Sequence, residues 1–199
     1  MDLEVERANR VVQLRRALQA AQPGSVASVR GSLAEGTADA WSDIDLSWRV
    51  SDGDDALNAL PHTLKAAGQV ESLRLDPELG PDRRLVFVRF RNWSLFQRVD
   101  LEVVGSLRSG RAPWDCGWSR AESALMNAVA AVKASHRERG DIDGLVQRGL
   151  ERVEATDPGG ALTDRLFVLI DAAVAADPTQ TGLAQRVHRE VLALGRANS

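Results

Sequence analysis

Two aspartates separated by one residue, Asp43 and Asp45, have the residue type and spacing that suggest chemistry in this sequence. They alternate with Ile44, Leu46 and Trp48, which predicts a strand with one apolar face. Because side chains two residues apart lie on the same face of a strand, the two carboxylates are expected side by side. Adjacent carboxylates repel unless a cation lies between them, and Mg²⁺, held by carboxylates and substrate phosphates, is the cation that this pair predicts.

A later segment adds further acids to this prediction. Asp100 and Glu102 share one face of a predicted strand, and Val99, Leu101 and Val103 share the other. If this strand lies beside the first, three or four carboxylates converge on one patch. Such a cluster can hold two metal ions about 3.5–4 Å apart, an arrangement that promotes in-line phosphoryl displacement.

Gly31 and Ser32 supply a possible phosphate contact before the aspartate pair. A glycine and a small hydroxyl residue that leave a strand allow backbone N–H groups to approach phosphate oxygens. Carboxylates suited to metal binding, next to a phosphate contact, predict a nucleoside triphosphate site. Arg98 shares the face of Asp100 and is expected either to pair with that carboxylate or to bind phosphate.

The combined pattern resembles a known signature. Gly31-Ser32, ten residues, and then Asp43-x-Asp45, with Asp100 on a later strand, is similar to the motif of nucleotidyltransferases of the DNA polymerase β superfamily. The antibiotic (aminoglycoside-type) and minimal nucleotidyltransferases are the branches that it resembles most. The resemblance covers residues 25–104 and implies an α/β (α+β) nucleotidyltransferase fold with a mixed sheet, followed by a C-terminal helical bundle.

The resemblance also implies roles for individual residues. Asp43, Asp45 and Asp100 would be catalytic metal ligands, with Asp100 serving either as a shared ligand or as the general base. Nucleotide-binding roles fall to a set that includes the first two aspartates: Gly31, Ser32, Asp43, Asp45 and Lys133. Two acids leave alternatives open. Glu102 is a second candidate for the base, and Glu35 stands where many relatives carry a basic residue, which predicts a weaker phosphate contact.

The elements that must position these residues are read from hydrophobic spacing. A helix is expected over 3–20, and strands over 26–30, 44–50, 70–75, 85–90 and 95–104. Leu57, Leu60 and Leu64 have helical spacing that Pro61 is expected to interrupt. After Pro113 the pattern is helical. We therefore expect a nucleotidyltransferase catalytic domain over 1–113 and a helical substrate-binding domain over 114–199.

Composition limits the possible functions. The 199 residues carry a formal net charge of −3 without a long basic block, which argues against duplex nucleic acid as a partner. No apolar run approaches membrane-spanning length, and the single cysteine, Cys116, excludes an internal disulfide. The first ten residues are acidic and amphipathic, unlike a signal peptide, so a cytoplasmic protein that does not bind membranes is expected.

These observations and the resemblance together predict an Mg²⁺-dependent enzyme. It would transfer a nucleoside monophosphate from an NTP, expected to be ATP, to a hydroxyl of a small-molecule acceptor such as an aminoglycoside-like antibiotic, releasing pyrophosphate. Either a monomer or a homodimer is compatible with the sequence. The alternatives are a minimal nucleotidyltransferase that modifies a protein or RNA, as in toxin–antitoxin pairs, and a non-catalytic nucleotide-binding module, which Glu35 would favour.

Overall fold

The computed structural model describes residues 3–77, 80–109 and 111–197. The chain divides into two compact units, Met1–Trp118 and Ser119–Ser199. The first unit contains a five-stranded sheet, and within the described residues of the second unit the regular elements are helices. The fold class predicted from the sequence is confirmed: the protein is α+β, with a mixed sheet followed by helices.

The sheet of the first unit has the strand order β1-β2-β5-β4-β3. β2 and β5 are parallel, and the other three strand pairs, β1–β2, β4–β5 and β3–β4, are antiparallel. The sheet is therefore mixed, and its parallel pair brings two strands that are distant in sequence side by side. The strands are β1 (Val26–Val29), β2 (Ile44–Asp52), β3 (Val70–Leu75), β4 (Arg83–Phe90) and β5 (Val99–Ser106).

One face of this sheet is covered by helices. Along β2 the side chains of Ile44, Leu46 and Trp48 are buried, whereas the residues between them are only half-buried, as alternation on a strand requires. The buried side chains join one apolar core with Leu14 of α1 and Leu57 of α3. The opposite face carries Asp45 and Asp100 together with apolar side chains such as Phe87, the register partner of Asp100. The helices of this unit are α1 (Leu3–Ala21), α2 (Gly31–Glu35) and α3 (Gly53–Leu64).

The fifth strand begins later than predicted, because residues 95 and 96 lie in a turn and β5 starts at Val99. Leu95 and Phe96 are both buried, although consecutive side chains on a strand point to opposite faces. Phe96 packs edge-on against Trp41, with ring centroids 4.8 Å apart. Leu95 and Phe96 are therefore buried in a turn and not in a strand. The strand predicted for these two residues from their hydrophobicity is wrong.

The interruption predicted at Pro61 is also wrong, since α3 continues through it to Leu64. Proline has no N–H to donate to the carbonyl four residues earlier, which here belongs to Leu57. That carbonyl instead accepts a hydrogen bond of 2.7 Å from the indole nitrogen of Trp114. The tryptophan therefore replaces the hydrogen bond that the helix loses at Pro61.

The second unit contains α4 (Arg120–His136), α5 (Ile142–Arg152), α6 (Leu162–Ala176) and α7 (Thr181–Ala197). Side-chain caps begin two of these helices: Ser119 accepts from the N–H of Glu122, and Asp141 accepts from the N–H of Gly144. No helix within the described residues is long and apolar enough to span a lipid bilayer.

Candidate functional site

The parallel pairing of β2 and β5 places Asp45 directly opposite Asp100. Neighbouring strands lie about 4.8 Å apart, so these two residues are adjacent on the face of the sheet opposite the helices. Asp43 lies one residue before β2, and the N–H of the next residue, Ile44, donates to the carbonyl of Arg98 at 2.8 Å. That hydrogen bond fixes the beginning of β2 beside β5. All three predicted aspartates therefore lie at one end of the parallel pair.

Gly31 contacts this group through its backbone. The N–H of Arg30 donates to the carbonyl of Asp45 at 2.8 Å, which holds the end of β1 beside β2. Gly31 has a φ of +52°, and a Cβ added there would lie 2.8 Å from Oδ2 of Asp45. Both the backbone conformation and the close approach require glycine at this position. Ser32 follows in the first turn of α2, so the predicted glycine–serine pair does lie beside the aspartates.

Arg98 pairs with the third aspartate. Its Nε donates to Oδ1 of Asp100 and its Nη2 donates to Oδ2, both at 2.7 Å. The guanidinium carbon lies 4.7 Å from the centroid of the Phe87 ring, and Phe87 is the register partner of Asp100 on β4. Of the two roles that the sequence left open for Arg98, pairing with the carboxylate is the one seen in this structure.

The charges of Asp43 and Asp45 affect both members of the Arg98–Asp100 pair. Burial raises the pKa of Asp100, the charge and hydrogen bonds of Arg98 lower it, and the negative charges of Asp43 and Asp45 raise it, with a net increase. Burial lowers the pKa of Arg98, but the three carboxylates outweigh burial and leave that pKa above its usual value. Arg98 is therefore firmly cationic, and Asp100 is more basic than an ordinary aspartate.

Glu102, the other candidate base, has different neighbours. Its carboxylate pairs with Arg30 at 2.7 Å and Arg83 at 3.7 Å, and accepts a hydrogen bond of 3.3 Å from the hydroxyl of Ser47. Two arginines therefore offset its negative charge. Glu35 is exposed in α2.

Lys133 belongs to the second unit. It lies in the last turn of α4, and its side chain is 7% exposed. Its predicted contact with a triphosphate stays a prediction.

Asp43 and Asp45 fit a divalent cation. Their oxygens are the donors that Mg²⁺ prefers, and Mg²⁺ sites commonly use one or two carboxylates with substrate phosphates completing the coordination. The missing side chain of Gly31 also leaves space beside Oδ2 of Asp45, which a Cβ would fill. Within residues 3–77, 80–109 and 111–197, no group of three acidic, histidine or cysteine side chains is arranged to hold a metal ion. Both oxygens of Asp100 accept hydrogen bonds from Arg98.

Asp39 organises the loop before β2, a role that the sequence analysis missed. Its Oδ1 accepts from the N–H of Trp41 and from the hydroxyl of Ser42, both at 3.0 Å. Its carbonyl accepts from the guanidinium of Arg7 on α1. The spacing of an aspartate followed by a serine three residues later is a turn signal that could have revealed this contact.

Comparison with known proteins gives distant structural similarity only. No protein family matches the chain, and no curated protein sequence matches it significantly. One similar structure is a non-canonical poly(A) polymerase complex, GLD-2–GLD-3, at 22% identity and a TM-score of 0.37 over 74% of this chain. This chain spans 43% of that protein's length. Another is a GLD-2/RNP-8 complex, at 18% identity and a TM-score of 0.39, covering 83% of this chain and 73% of the other. Similarity at this level does not assign an activity.

Proposed function

We propose that this protein transfers a nucleoside monophosphate from an NTP to a hydroxyl group and releases pyrophosphate. The observation that carries the proposal is the register of Asp45 opposite Asp100 on adjacent parallel strands, with the backbone of Gly31 against Asp45. Carboxylates from two strands, beside a glycine and a serine at the beginning of α2, can serve a metal-dependent phosphoryl transfer.

Each residue of the site has a proposed task. Asp43 and Asp45 would hold a divalent cation, which would neutralise phosphate charge and draw electron density from the phosphorus. Ser32 binds the terminal phosphates through its hydroxyl group. Positioning and charge neutralisation supply most of the rate acceleration in such reactions, so the protein need not form a covalent intermediate.

Asp100 is the proposed general base. It is the register partner of Asp45 and so lies beside the proposed cation site, where an acceptor hydroxyl must come close to the α-phosphorus. It takes the proton of the acceptor hydroxyl as that oxygen bonds to the α-phosphorus, while the bond from the α-phosphorus to the pyrophosphate oxygen breaks. Glu102 is the weaker candidate because it is the register partner of Ser47, two residues farther along β2 from Asp45.

For the substrates, we propose ATP as the donor and a small-molecule hydroxyl as the acceptor, on the resemblance to antibiotic nucleotidyltransferases. Unpaired acids would attract a cationic antibiotic, but two acids of this site are paired with arginines. Asp100 pairs with Arg98, and Glu102 pairs with two arginines. Charge therefore gives little reason to favour an aminoglycoside over a neutral acceptor.

Transfer of label from α-³²P-labelled NTPs tests the proposal, with each nucleotide offered to panels of small molecules, RNA and protein. Wild-type protein is expected to label a small-molecule acceptor and release pyrophosphate. Asp45→Asn, which keeps the side-chain shape, is expected to reduce transfer by about a hundredfold or more. The matched control is Asp55→Asn, an exposed acid in α3, which should retain wild-type activity.

Three outcomes would change the proposal. Wild-type activity in a folded Asp45→Asn variant would contradict the assignment of the site. Label on RNA or protein alone would keep nucleotidyl transfer and replace the acceptor class. Tight nucleotide binding without transfer to any acceptor would indicate a binding module.

A further inference from the structure

Arg98 places a fixed positive charge inside the candidate site. Its two hydrogen bonds to Asp100 use both carboxylate oxygens, and the Phe87 ring lies against the guanidinium. Only 26% of the Arg98 side chain and 18% of the Asp100 side chain are exposed. Because an arginine–carboxylate pair with two parallel hydrogen bonds is strong and geometrically specific, this contact is well defined.

The charge of Arg98 affects how many divalent cations the aspartates of the site can hold. Asp43, Asp45 and Asp100 carry three negative charges, and Arg98 interacts electrostatically with all of them. Two divalent cations would require Asp100 as a shared ligand, close to the guanidinium. The repulsion between a guanidinium and a second divalent cation at that place opposes its binding.

We propose that Arg98 takes the place of one of the two metal ions expected from the sequence, so that the nucleotide-loaded site holds a single divalent cation. Asp43 and Asp45 hold that ion together with substrate phosphates, which is a common arrangement for Mg²⁺. Arg98 supplies the remaining positive charge and orients the carboxylate of Asp100. This inference rests on the proposed nucleotidyl transfer but concerns the number of ions, which can be counted without measuring activity.

Counting Mn²⁺ by electron paramagnetic resonance tests the inference. The protein is kept in excess over an ATP analogue with a methylene group between the α and β phosphorus atoms, and Mn²⁺ is titrated. Wild-type protein is expected to bind one Mn²⁺ per analogue, with the spectrum of an isolated ion. Arg98→Met, which removes the charge and keeps much of the side-chain length, is expected to bind two ions with a spin-coupled spectrum.

Two variants separate charge from packing. Arg98→Lys keeps the positive charge and is expected to bind one ion, as the wild type does. Arg91→Met removes an exposed arginine from the turn after β4 and should also leave the count at one. Arg98→Gln provides a second neutral replacement if Arg98→Met does not fold, as judged by circular dichroism.

The count distinguishes failure of the inference from failure of the proposed function. Two coupled ions in the wild type would overturn the inference and leave nucleotidyl transfer standing. One ion in both the wild type and a folded neutral variant would show that Arg98 does not exclude the second ion, which also overturns it. A spectrum of the Mn²⁺–analogue complex that does not change when protein is added would contradict both the inference and the proposed site.

Discussion

Gly31 connects backbone geometry to the proposed chemistry at the scale of a single residue. Its φ of +52° disfavours any other residue by about 1–2 kcal/mol, and a Cβ would also displace the Asp45 carboxylate, 2.8 Å away. We expect Gly31→Ala to lower the free energy of unfolding by that amount. It should also lower kcat/KM by about tenfold to a hundredfold, because small displacements of catalytic groups are costly. Chemical denaturation and the labelling assay measure the two effects.

Gly36 is the matched control for this substitution. It ends α2 with a φ of +70°, and an added Cβ there meets nothing within 4 Å. Gly36→Ala should therefore lose similar stability and keep its activity. Equal losses of kcat/KM in both variants would show that Gly31 matters for its conformation alone and not for its contact with Asp45.

Single residues also show what the sequence could predict of the site. Side-chain alternation was enough to place Asp43 and Asp45 on one face of one strand. It also placed Asp100 and Glu102 together on one face of a later strand. Alternation could not predict that Arg7 and Arg10 of α1 are buried. Their burial depends on partners remote in sequence, since Arg7 donates to the carbonyl of Asp39, and Arg10 donates to Gln97 and stacks on Trp93.

At the scale of elements, α3 depends on a hydrogen bond from outside the helix. Trp114 donates to the Leu57 carbonyl that Pro61 leaves without its helical donor. We expect Trp114→Phe to cost about 1–3 kcal/mol, because a buried carbonyl loses its partner. Pro61→Ala should recover part of that loss in the double variant, since an alanine at that position would supply the missing N–H. Unfolding in urea, followed by circular dichroism, measures Trp114→Phe, Pro61→Ala and the double variant.

Trp118→Phe is the control, because its side chain is 40% exposed and the change should cost about 0.5 kcal/mol or less. If Pro61→Ala gave no recovery in the Trp114→Phe background, the hydrogen bond to Leu57 would not be the source of the loss. The tryptophan would then act through packing alone.

The secondary structure predicted from local pattern is wrong at two segments whose conformation depends on long-range contacts. The alternation along β2 predicted its buried face, since the pattern of a strand is local. The turn at 95–96 and the continuous helix through Pro61 depend on Trp41 and Trp114, whose positions only the folded chain defines. Alternation alone does not define which strands pair, so the adjacency of β2 and β5, which assembles the candidate site, could be expected only as a condition.

At the scale of the whole molecule, the two compact units can be followed by different signals. All five tryptophans, at positions 41, 48, 93, 114 and 118, belong to the unit Met1–Trp118. Tryptophan fluorescence therefore reports on the unit with the sheet, whereas circular dichroism also detects α4 to α7. Comparing the two signals tests whether the chain unfolds in one transition before any single free energy of unfolding is assigned.

The second unit contains a charged junction between its helices. Asp157, in the segment between α5 and α6, accepts hydrogen bonds from Nε and Nη2 of Arg165 and from the N–H of Gly159. Arg165 also donates to Asp143 of α5 at 2.5 Å. The hydrogen bonds of Arg165 and Gly159 are the main causes that hold the pKa of Asp157 below its usual value.

The pKa of Asp157 is lower in the folded protein than in the unfolded chain, so its ionised form stabilises the fold. The stabilisation by Asp157 is fully present above the unfolded-state pKa of about 3.9, and it is lost as pH falls through the lower folded-state pKa. We therefore expect Asp157→Asn to lower the Tm measured by circular dichroism at neutral pH, and this difference from the wild type to shrink below about pH 4. Asp171→Asn, an exposed acid on α6, should leave Tm unchanged throughout. A Tm difference for Asp157→Asn that is constant from pH 7 to pH 3 would show that its charge does not stabilise the fold.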